Sequence, residues 1–148
     1  MQYCVVKNLK YFTKDKMNYK KMVFIATALK PINKKSHHVC FIFRKKRLLS
    51  IGVNDLKKTH PRTLKYNYTD RDGEKRSDKV TLHAEMAAII KLGYDDCSDL
   101  TFYVIRIGFN NKVAYSKPCE GCLHLLKSVG YKAVYYSTDN NNLKKLKK

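Results

Sequence analysis

The chain has 148 residues, of which 44% are hydrophobic, and its 31 lysines and arginines against 12 acidic residues give a net charge of +19. That length and apolar content fit one folded domain and exclude a disordered polymer. No apolar run approaches the roughly 18–20 residues of a membrane span, and the first residues lack a secretory signal, so we expect a soluble, cytoplasmic protein.

Hydrophobic periodicity predicts the first elements, after an amino-terminal extension over residues 1–15. Residues 16–30 carry apolar side chains at helical spacing, and Pro31 ends that helix. Two β-like runs, "HVCFIF" and "RLLSIGV", are separated by basic residues and predict a hairpin. A long polar stretch follows, and because so long a loop in a compact domain is usually functional or mobile, we take residues 55–80 as a substrate loop.

The second half of the chain alternates helices and strands. The predicted elements are a helix in "TLHAEMAAIIKLG", a strand in "LTFYVIRIGF", a turn at "NN", a strand in "KVAYS", a helix opening with Pro118 in "PCEGCLHLLKSVG", a strand in "KAVYYS" and a solvated basic tail over 139–148.

This alternation predicts an α/β fold in one domain spanning residues 1–148. We expect a three-layer sandwich in which helices cover both faces of a mixed sheet of about five strands. The closing strand, helix and strand, from "KVAYS" to "KAVYYS", suit a parallel pair joined by a right-handed crossover.

Five cysteines, an odd number with irregular spacing, argue against a disulfide framework. Cys119 and Cys122 are three residues apart at a predicted helix start, where both thiols face the same way and the helix dipole favours thiolates. They supply half of a tetrahedral zinc site, and His83, also at a helix start, is the expected third ligand. Three protein ligands leave a position open for water, which is the catalytic arrangement and makes hydroxide available near neutral pH.

Glu85 lies two residues from His83, on a different side of the helix. That position suits a general acid and base better than a fourth ligand. A Cys-x-x-Cys pair can instead be a thioredoxin-like redox centre, but such a pair is expected after the first strand of a βαβ unit.

"HAE" followed by "PCEGC" resembles the H-x-E…P-C-x-x-C signature of the zinc-dependent cytidine and deoxycytidylate deaminase superfamily. The resemblance covers roughly residues 37–137, and "GYKAVYYS" is similar to deoxycytidylate-type and phage-encoded members. It implies a cytidine-deaminase-like fold, one Zn²⁺ held by His83, Cys119 and Cys122, and Glu85 as proton shuttle. Water would attack C4 of cytosine, or C6 of adenine, and ammonia would leave.

The same resemblance implies three substrate contacts. Asn54 would contact the sugar or base, Ala84 would present its backbone N–H to the base carbonyl, and the backbone carbonyl of Ser116 would hold the leaving amine. The alternative for Asn54 is that it simply caps the strand.

The excess positive charge suggests a polyanionic partner, most often nucleic acid. Cations with interleaved tyrosines in the long loop would hold a single strand by phosphate pairing and stacking; the residues we select are Lys57, Lys58, Arg62, Lys65 and Tyr66. The alternatives are an ordinary solvated loop and a lysine content inflated by AT-rich coding.

Other histidines are weaker candidates. A second metal at His37, His38, Cys40 and His60 is disfavoured, because adjacent histidines do not share a face of a strand. His124, one turn into the cysteine helix, is expected to be packed or to support a ligand.

We predict cytosine in single-stranded nucleic acid as the substrate, because of the net charge of +19, the basic "RKKR" hairpin tip at 44–47 and the basic loop. The alternative, favoured by the resemblance to deoxycytidylate-type members, is a free nucleotide such as dCMP, or free cytidine. A tRNA adenosine deaminase and a non-enzymatic zinc-binding module are further alternatives. Small members of this superfamily are often oligomers, so the resemblance also implies a homo-oligomer such as a dimer.

Overall fold

The computed structural model describes residues 17–29, 37–55 and 82–147. Within these ranges the chain forms three helices and six strands, and all but the last strand follow the order that the periodicity predicts. They are α1 (Tyr19–Leu29), β1 (His37–Arg44), β2 (Arg47–Val53), α2 (Ala84–Leu92), β3 (Thr101–Ile107), β4 (Val113–Ala114), α3 (Glu120–Val129), β5 (Ala133–Ser137) and β6 (Leu143–Lys145).

The strands form one mixed sheet in the order β2-β1-β3-β5-β6, with β4 beside β3. β3 and β5 are parallel, and every other pair is antiparallel. The predicted parallel pairing of "KVAYS" with "KAVYYS" is therefore wrong in its partner. The turn at Asn110 and Asn111 folds the two-residue β4 back onto β3, with the Gly108 N–H donating to Lys112 O at 2.8 Å, so β3 is the parallel neighbour of β5.

Alternating side chains of the central strands divide the core into two layers, as the sandwich prediction requires. Cys40 and Ile42 of β1 face a cluster built with α2 and α3. Val39, Phe41 and Phe43 point the other way, against α1. The helices thus cover both faces of the sheet, and the predicted α/β three-layer architecture is confirmed.

Close packing of α2 on β2 positions the helix that follows His83. A Cβ atom added at Gly52 would lie 2.2 Å from Ala88 N and 2.4 Å from Ala84 O, so only glycine fits there. Nearby, Ser50 Oγ donates to Ala88 O at 2.8 Å. These contacts fix the height of α2 above the sheet.

The basic tail differs from its prediction. Leu143–Lys145 pair antiparallel with β5, and Leu146 is buried with its N–H donating to Val134 O at 2.7 Å. The two leucines bury apolar surface while the lysines between them stay exposed, so the lysine-rich pattern hides an edge strand.

Three predicted features fall outside the described residues: the extension over 1–15, the helix stop at Pro31, and the substrate loop apart from Asp55. In the described part of the chain, no helix has the length and apolar content needed to cross a bilayer.

Candidate functional site

Both segments that carry the predicted zinc ligands are anchored at one end of the sheet. Leu82 forms an antiparallel bridge with Asp55, just beyond the end of β2. Ser116, shortly before Cys119, donates its backbone N–H to Ser137 O at the end of β5. The same end holds the carboxyl ends of the parallel strands β3 and β5, which is where open α/β sheets bind ligands.

The start of α3 presents the two thiols. Cys119 is the N-cap residue, and its Sγ accepts the backbone N–H of Cys122 at 3.5 Å. Cys122, in the first turn, is fully buried. The N-cap is Cys119, whose sulfur also belongs to the cluster described next. Pro118 therefore precedes the N-cap and does not open the helix as predicted.

His83 completes a cluster of three donor atoms. It occupies the N-cap of α2, where its side chain caps nothing, and its Nδ1 lies 3.5 Å from Cys119 Sγ and 3.4 Å from Cys122 Sγ. Tetrahedral zinc with ordinary Zn–S and Zn–N bonds would separate such atoms by about 3.6 Å. The three side chains are thus positioned to bind a metal ion, and their nitrogen and sulfur donors suit Zn²⁺.

The two thiols differ in acidity before any metal binds. A hydrogen bond from Cys122 lowers the pKa of Cys119 to about 4, against the effect of burial and with help from His83. Burial, followed by the hydrogen bond with Cys119, raises the pKa of Cys122 well above its ordinary value. Burial alone would lower the pKa of His83, but the hydrogen bond and charge of Cys119 raise it. Without metal the pair therefore holds one negative charge, centred on Cys119.

Glu85 lies beside this cluster without belonging to it. It is 4% exposed, and its carboxylate is not among the three donors that the described residues bring together. Burial raises the pKa of Glu85, against the opposing charge of His83 and a hydrogen bond with Cys122. A carboxyl group with a raised pKa beside a metal site can exchange protons near neutral pH.

The predicted substrate-contact residues line the same end of the sheet. Asn54 is buried, and its Oδ1 accepts the backbone N–H of His38 at 2.9 Å, so it does cap the strand. Ser116 is buried with its Oγ donating to Val104 O at 2.7 Å, which fixes the segment leading to Cys119. Ala84 is the first residue of α2, where backbone N–H groups have no acceptor within the helix.

The adjacent histidines of β1 separate onto opposite faces, as expected. The His37 ring packs beneath α1, with Nε2 at 2.7 Å from Ala26 O. His38 lies on the α2 side, and burial, followed by the charges of Arg106 and His83, lowers its pKa to about 4. Among the described residues the only group of three or more metal-binding side chains is the one containing His83. His60, the fourth residue of the disfavoured second-metal alternative, lies outside the described residues.

Arg106 is a residue that sequence reasoning missed. It lies near the carboxyl end of β3, directly opposite His38 in the antiparallel register. The strand alternation that places Phe102 and Val104 on the α2 side places Arg106 there as well. The register of β1 against β3 places Arg106 beside His38, and this register cannot be read from the sequence.

None of the basic residues considered for nucleic-acid binding is found at the metal cluster in the described part of the chain. Lys57, Lys58, Arg62, Lys65 and Tyr66 lie outside the described residues. The exposed hairpin tip from Arg44 to Arg47 lies at the opposite end of β1 from His38, about 20 Å away at the usual rise of a strand. His124 is exposed, so the expectation that it packs is wrong; it points away from the buried face of α3.

Comparison with known proteins agrees with the metal cluster. The sequence profile of the "Cytidine and deoxycytidylate deaminase zinc-binding region" matches residues 14–138. The fold is similar to that of a cytidine deaminase from Mycobacterium leprae, at 17% identity and a TM-score of 0.51, over 87% of this chain and 93% of the other. A dCMP deaminase from the cyanophage S-TIM5 aligns with a TM-score of 0.46 and 17% identity, over 81% of this chain and 79% of that one.

No curated protein matches the sequence significantly. The profile nevertheless spans most of the chain and includes all three donor residues, which the fold brings together at one end of the sheet. The chain therefore belongs to the zinc-binding cytidine and deoxycytidylate deaminase family.

Proposed function

We propose that this chain is a hydrolytic deaminase that converts cytosine to uracil. The observation that carries the proposal is the buried carboxyl group of Glu85 beside the cluster of His83, Cys119 and Cys122. A structural zinc site is closed by four protein ligands, whereas three ligands with an adjacent acid and base suit hydrolysis.

Hydrolysis at C4 of cytosine replaces the exocyclic amino group by an oxygen from water and releases ammonia. A proton must leave the water, and protons must reach the ring nitrogen and the departing amine. Zinc, when bound, supplies a Lewis acid that makes water reactive near neutral pH. Glu85 accepts and returns the protons at its carboxylate, a task that its raised pKa favours.

Three neighbouring groups would orient the base and sugar. The backbone N–H of Ala84 would bind the base carbonyl, the Ser116 carbonyl would accept a hydrogen bond from the amine, and Asn54 would contact the sugar or base. Their support is their placement: Ala84 begins α2, and the hydrogen bonds of Ser116 and Asn54 hold both residues at the sheet end that carries the metal cluster.

A free pyrimidine nucleotide is the substrate that the described residues favour. The cations of the hairpin tip lie about 20 Å along β1 from the metal end, so they cannot contact a nucleotide whose base occupies the site. The positive charge of that tip is also partly neutralised, because Arg44 Nε donates to Asp99 Oδ2 at 2.8 Å. Only a strand several nucleotides long could reach from the site to the tip.

Single-stranded nucleic acid is the second candidate, favoured by the net charge of +19. A strand that reached the tip or the basic loop would neutralise several cations. Its affinity would then fall steeply with salt, by roughly 0.7 log units per log unit of salt for each phosphate bound. A mononucleotide has one phosphate group and predicts a shallow dependence.

The test is product analysis of the zinc-loaded protein with dCMP, cytidine, single-stranded DNA and single-stranded RNA side by side. Uracil formed from dCMP, with little effect of salt between about 50 and 200 mM, supports the nucleotide. Uracil formed only in the polynucleotides, with a steep loss at higher salt, supports the strand instead. Failure to convert any cytosine substrate contradicts the proposed deamination.

A further inference from the structure

Arg106 places a guanidinium group on the side of the sheet that carries the metal cluster. Its Cα lies directly across from that of His38, and the charges of Arg106 and His83 both act on the His38 ring. The three side chains therefore share one corner of the molecule. The backbone of Arg106 is held there by its N–H, which donates to Ser137 Oγ at 3.1 Å.

Within the described part of the chain, the positive charge of the Arg106 guanidinium is not neutralised by a carboxylate. Its Nε is buried and lacks a hydrogen-bond partner, and no described carboxylate forms an ion pair with it, in contrast to the pair between Arg44 and Asp99. A buried guanidinium nitrogen without a partner costs free energy. Such a cost persists at functional sites when a ligand supplies the missing partner.

The chemistry of that ligand follows from the group and its position. A guanidinium presents several N–H donors in a planar fork that matches the oxygens of a phosphate. It also lies near the carboxyl ends of two parallel strands, where α/β sheets bind nucleotides. A cytosine seated at the metal cluster would carry its sugar and phosphate outward into this corner.

We propose that Arg106 binds the phosphate group of the substrate and makes the site prefer a phosphorylated cytosine nucleotide over the neutral nucleoside. The inference rests on the proposed function, cytosine deamination, and names the chemical class of its substrate. The proposal also accounts for the position of the Arg106 guanidinium near the metal cluster. Because no described carboxylate forms an ion pair with Arg106, its positive charge is available to a bound phosphate.

A structural role for Arg106 is the competing explanation. In that case the side chain would only support the ends of β1 and β3, and its loss would affect every substrate equally. The ratio of kcat/KM for dCMP to kcat/KM for deoxycytidine separates the two roles, because only the phosphate contact changes the ratio.

The experiment compares Arg106→Gln and Arg106→Lys with the matched control Arg44→Gln, which removes an exposed guanidinium at the other end of β1. We expect Arg106→Gln to lower the dCMP-to-deoxycytidine ratio about 10- to 100-fold, the size of a lost charge-assisted hydrogen bond. Arg106→Lys should restore part of the preference, and Arg44→Gln should leave it unchanged. Zinc content and thermal unfolding, measured on each variant, show whether the fold is kept.

An oligonucleotide with a single cytosine identifies the source of the phosphate. If Arg106→Gln impairs turnover of dCMP, the phosphate is that of a mononucleotide. If it impairs the oligonucleotide alone, the phosphate belongs to the backbone of a strand, and the phosphate-binding role still stands. An equal loss on dCMP, deoxycytidine and the oligonucleotide would overturn the proposal.

Binding measured without turnover separates this inference from the proposed function. Calorimetry of dCMP with the zinc-loaded Glu85→Gln protein, with and without Arg106→Gln, should show an affinity at least about tenfold weaker in the double variant. Equal affinities would refute the phosphate contact even if the enzyme deaminates cytosine. A clear difference would support the contact even if no cytosine substrate were converted.

Discussion

The Nδ1 atom of His83 lies 3.4 Å from the Sγ atom of Cys122, although 39 positions separate the two residues. The contact exists because both residues stand at helix starts that the sheet brings to one end. The His83 side chain makes no capping hydrogen bond to the helix that follows it, so its ring is available to the cluster. The separation matches that of two ligands of one tetrahedral zinc ion.

Loss of one thiol should therefore remove the metal. We expect the zinc content of Cys119→Ser to fall from one ion per chain to a small fraction of one, and the variant to unfold at a lower temperature. A metal present at about 100 times its Kd stabilises the folded state by about 2.7 kcal/mol, and that contribution disappears with the site. Metal analysis and thermal unfolding check this, with Cys97→Ser, at a buried cysteine outside the cluster, as the control that keeps its zinc. Full zinc content in Cys119→Ser would show that the metal is held elsewhere.

Replacing Glu85 should separate chemistry from metal binding. In Glu85→Gln the zinc content stays near one per chain, while kcat falls by at least about 10²–10⁴-fold, as expected for a general acid and base. The matched control is Glu120→Gln, in the exposed first turn of α3, which should keep most of its activity. If Glu85→Gln loses zinc, then the carboxylate is a ligand, and the assignment of roles is wrong.

The contact of β2 with α2 should be intolerant of a single methyl group. A Cβ atom at Gly52 would meet backbone atoms of Ala84 and Ala88 at 2.2–2.7 Å, so the helix must move away. We expect Gly52→Ala to lower the free energy of unfolding by about 1–3 kcal/mol, as overpacking does. Because His83 begins α2, zinc affinity should fall as well. Gly108→Ala, whose nearest contact is 3.3 Å, is the control, and equal stability of the two variants would contradict the account.

Thiol reactivity should report the electrostatics of the empty site. Since the pKa of Cys119 is about 4, its thiolate is present at pH 6, and alkylation of the metal-free protein should change little up to pH 8. An ordinary cysteine slows about tenfold for each pH unit below its pKa. Burial, helped by the charge of Glu85, raises the pKa of Cys40 well above its ordinary value, so Cys40 should remain unmodified.

Mass spectrometry of alkylated peptides follows each cysteine separately. Added zinc should protect Cys119 at every pH, because the thiolate is then bound. A rate at Cys119 that rises tenfold per pH unit between pH 6 and 8, as for a free thiol, would contradict the lowered pKa.

The metal ligands could be predicted from the sequence because their chemistry is local. Cys119 and Cys122 are three residues apart, and His83 and Glu85 share one helix start, so spacing alone placed each pair. Apolar periodicity placed the helices and the hairpin in the same way. Features that depend on partners distant in sequence could not be found so easily.

Arg106 illustrates that limit. Its neighbours His38 and Ser137 come from two other strands, and only the register shows that they meet. The carboxyl-terminal strand was missed for a similar reason. Lys144 and Lys145 hide the signal of Leu143 and Leu146, whose burial depends on β5 lying beside them.

The most direct test of the central claim is deamination of dCMP by the zinc-loaded protein in water enriched in ¹⁸O. Hydrolysis predicts one ammonia released for each uracil formed, with one ¹⁸O atom in the product base, and turnover by Glu85→Gln that is at least about 10²–10⁴-fold slower. A folded protein with one zinc per chain that leaves dCMP, deoxycytidine and cytosine-containing oligonucleotides unchanged would contradict it.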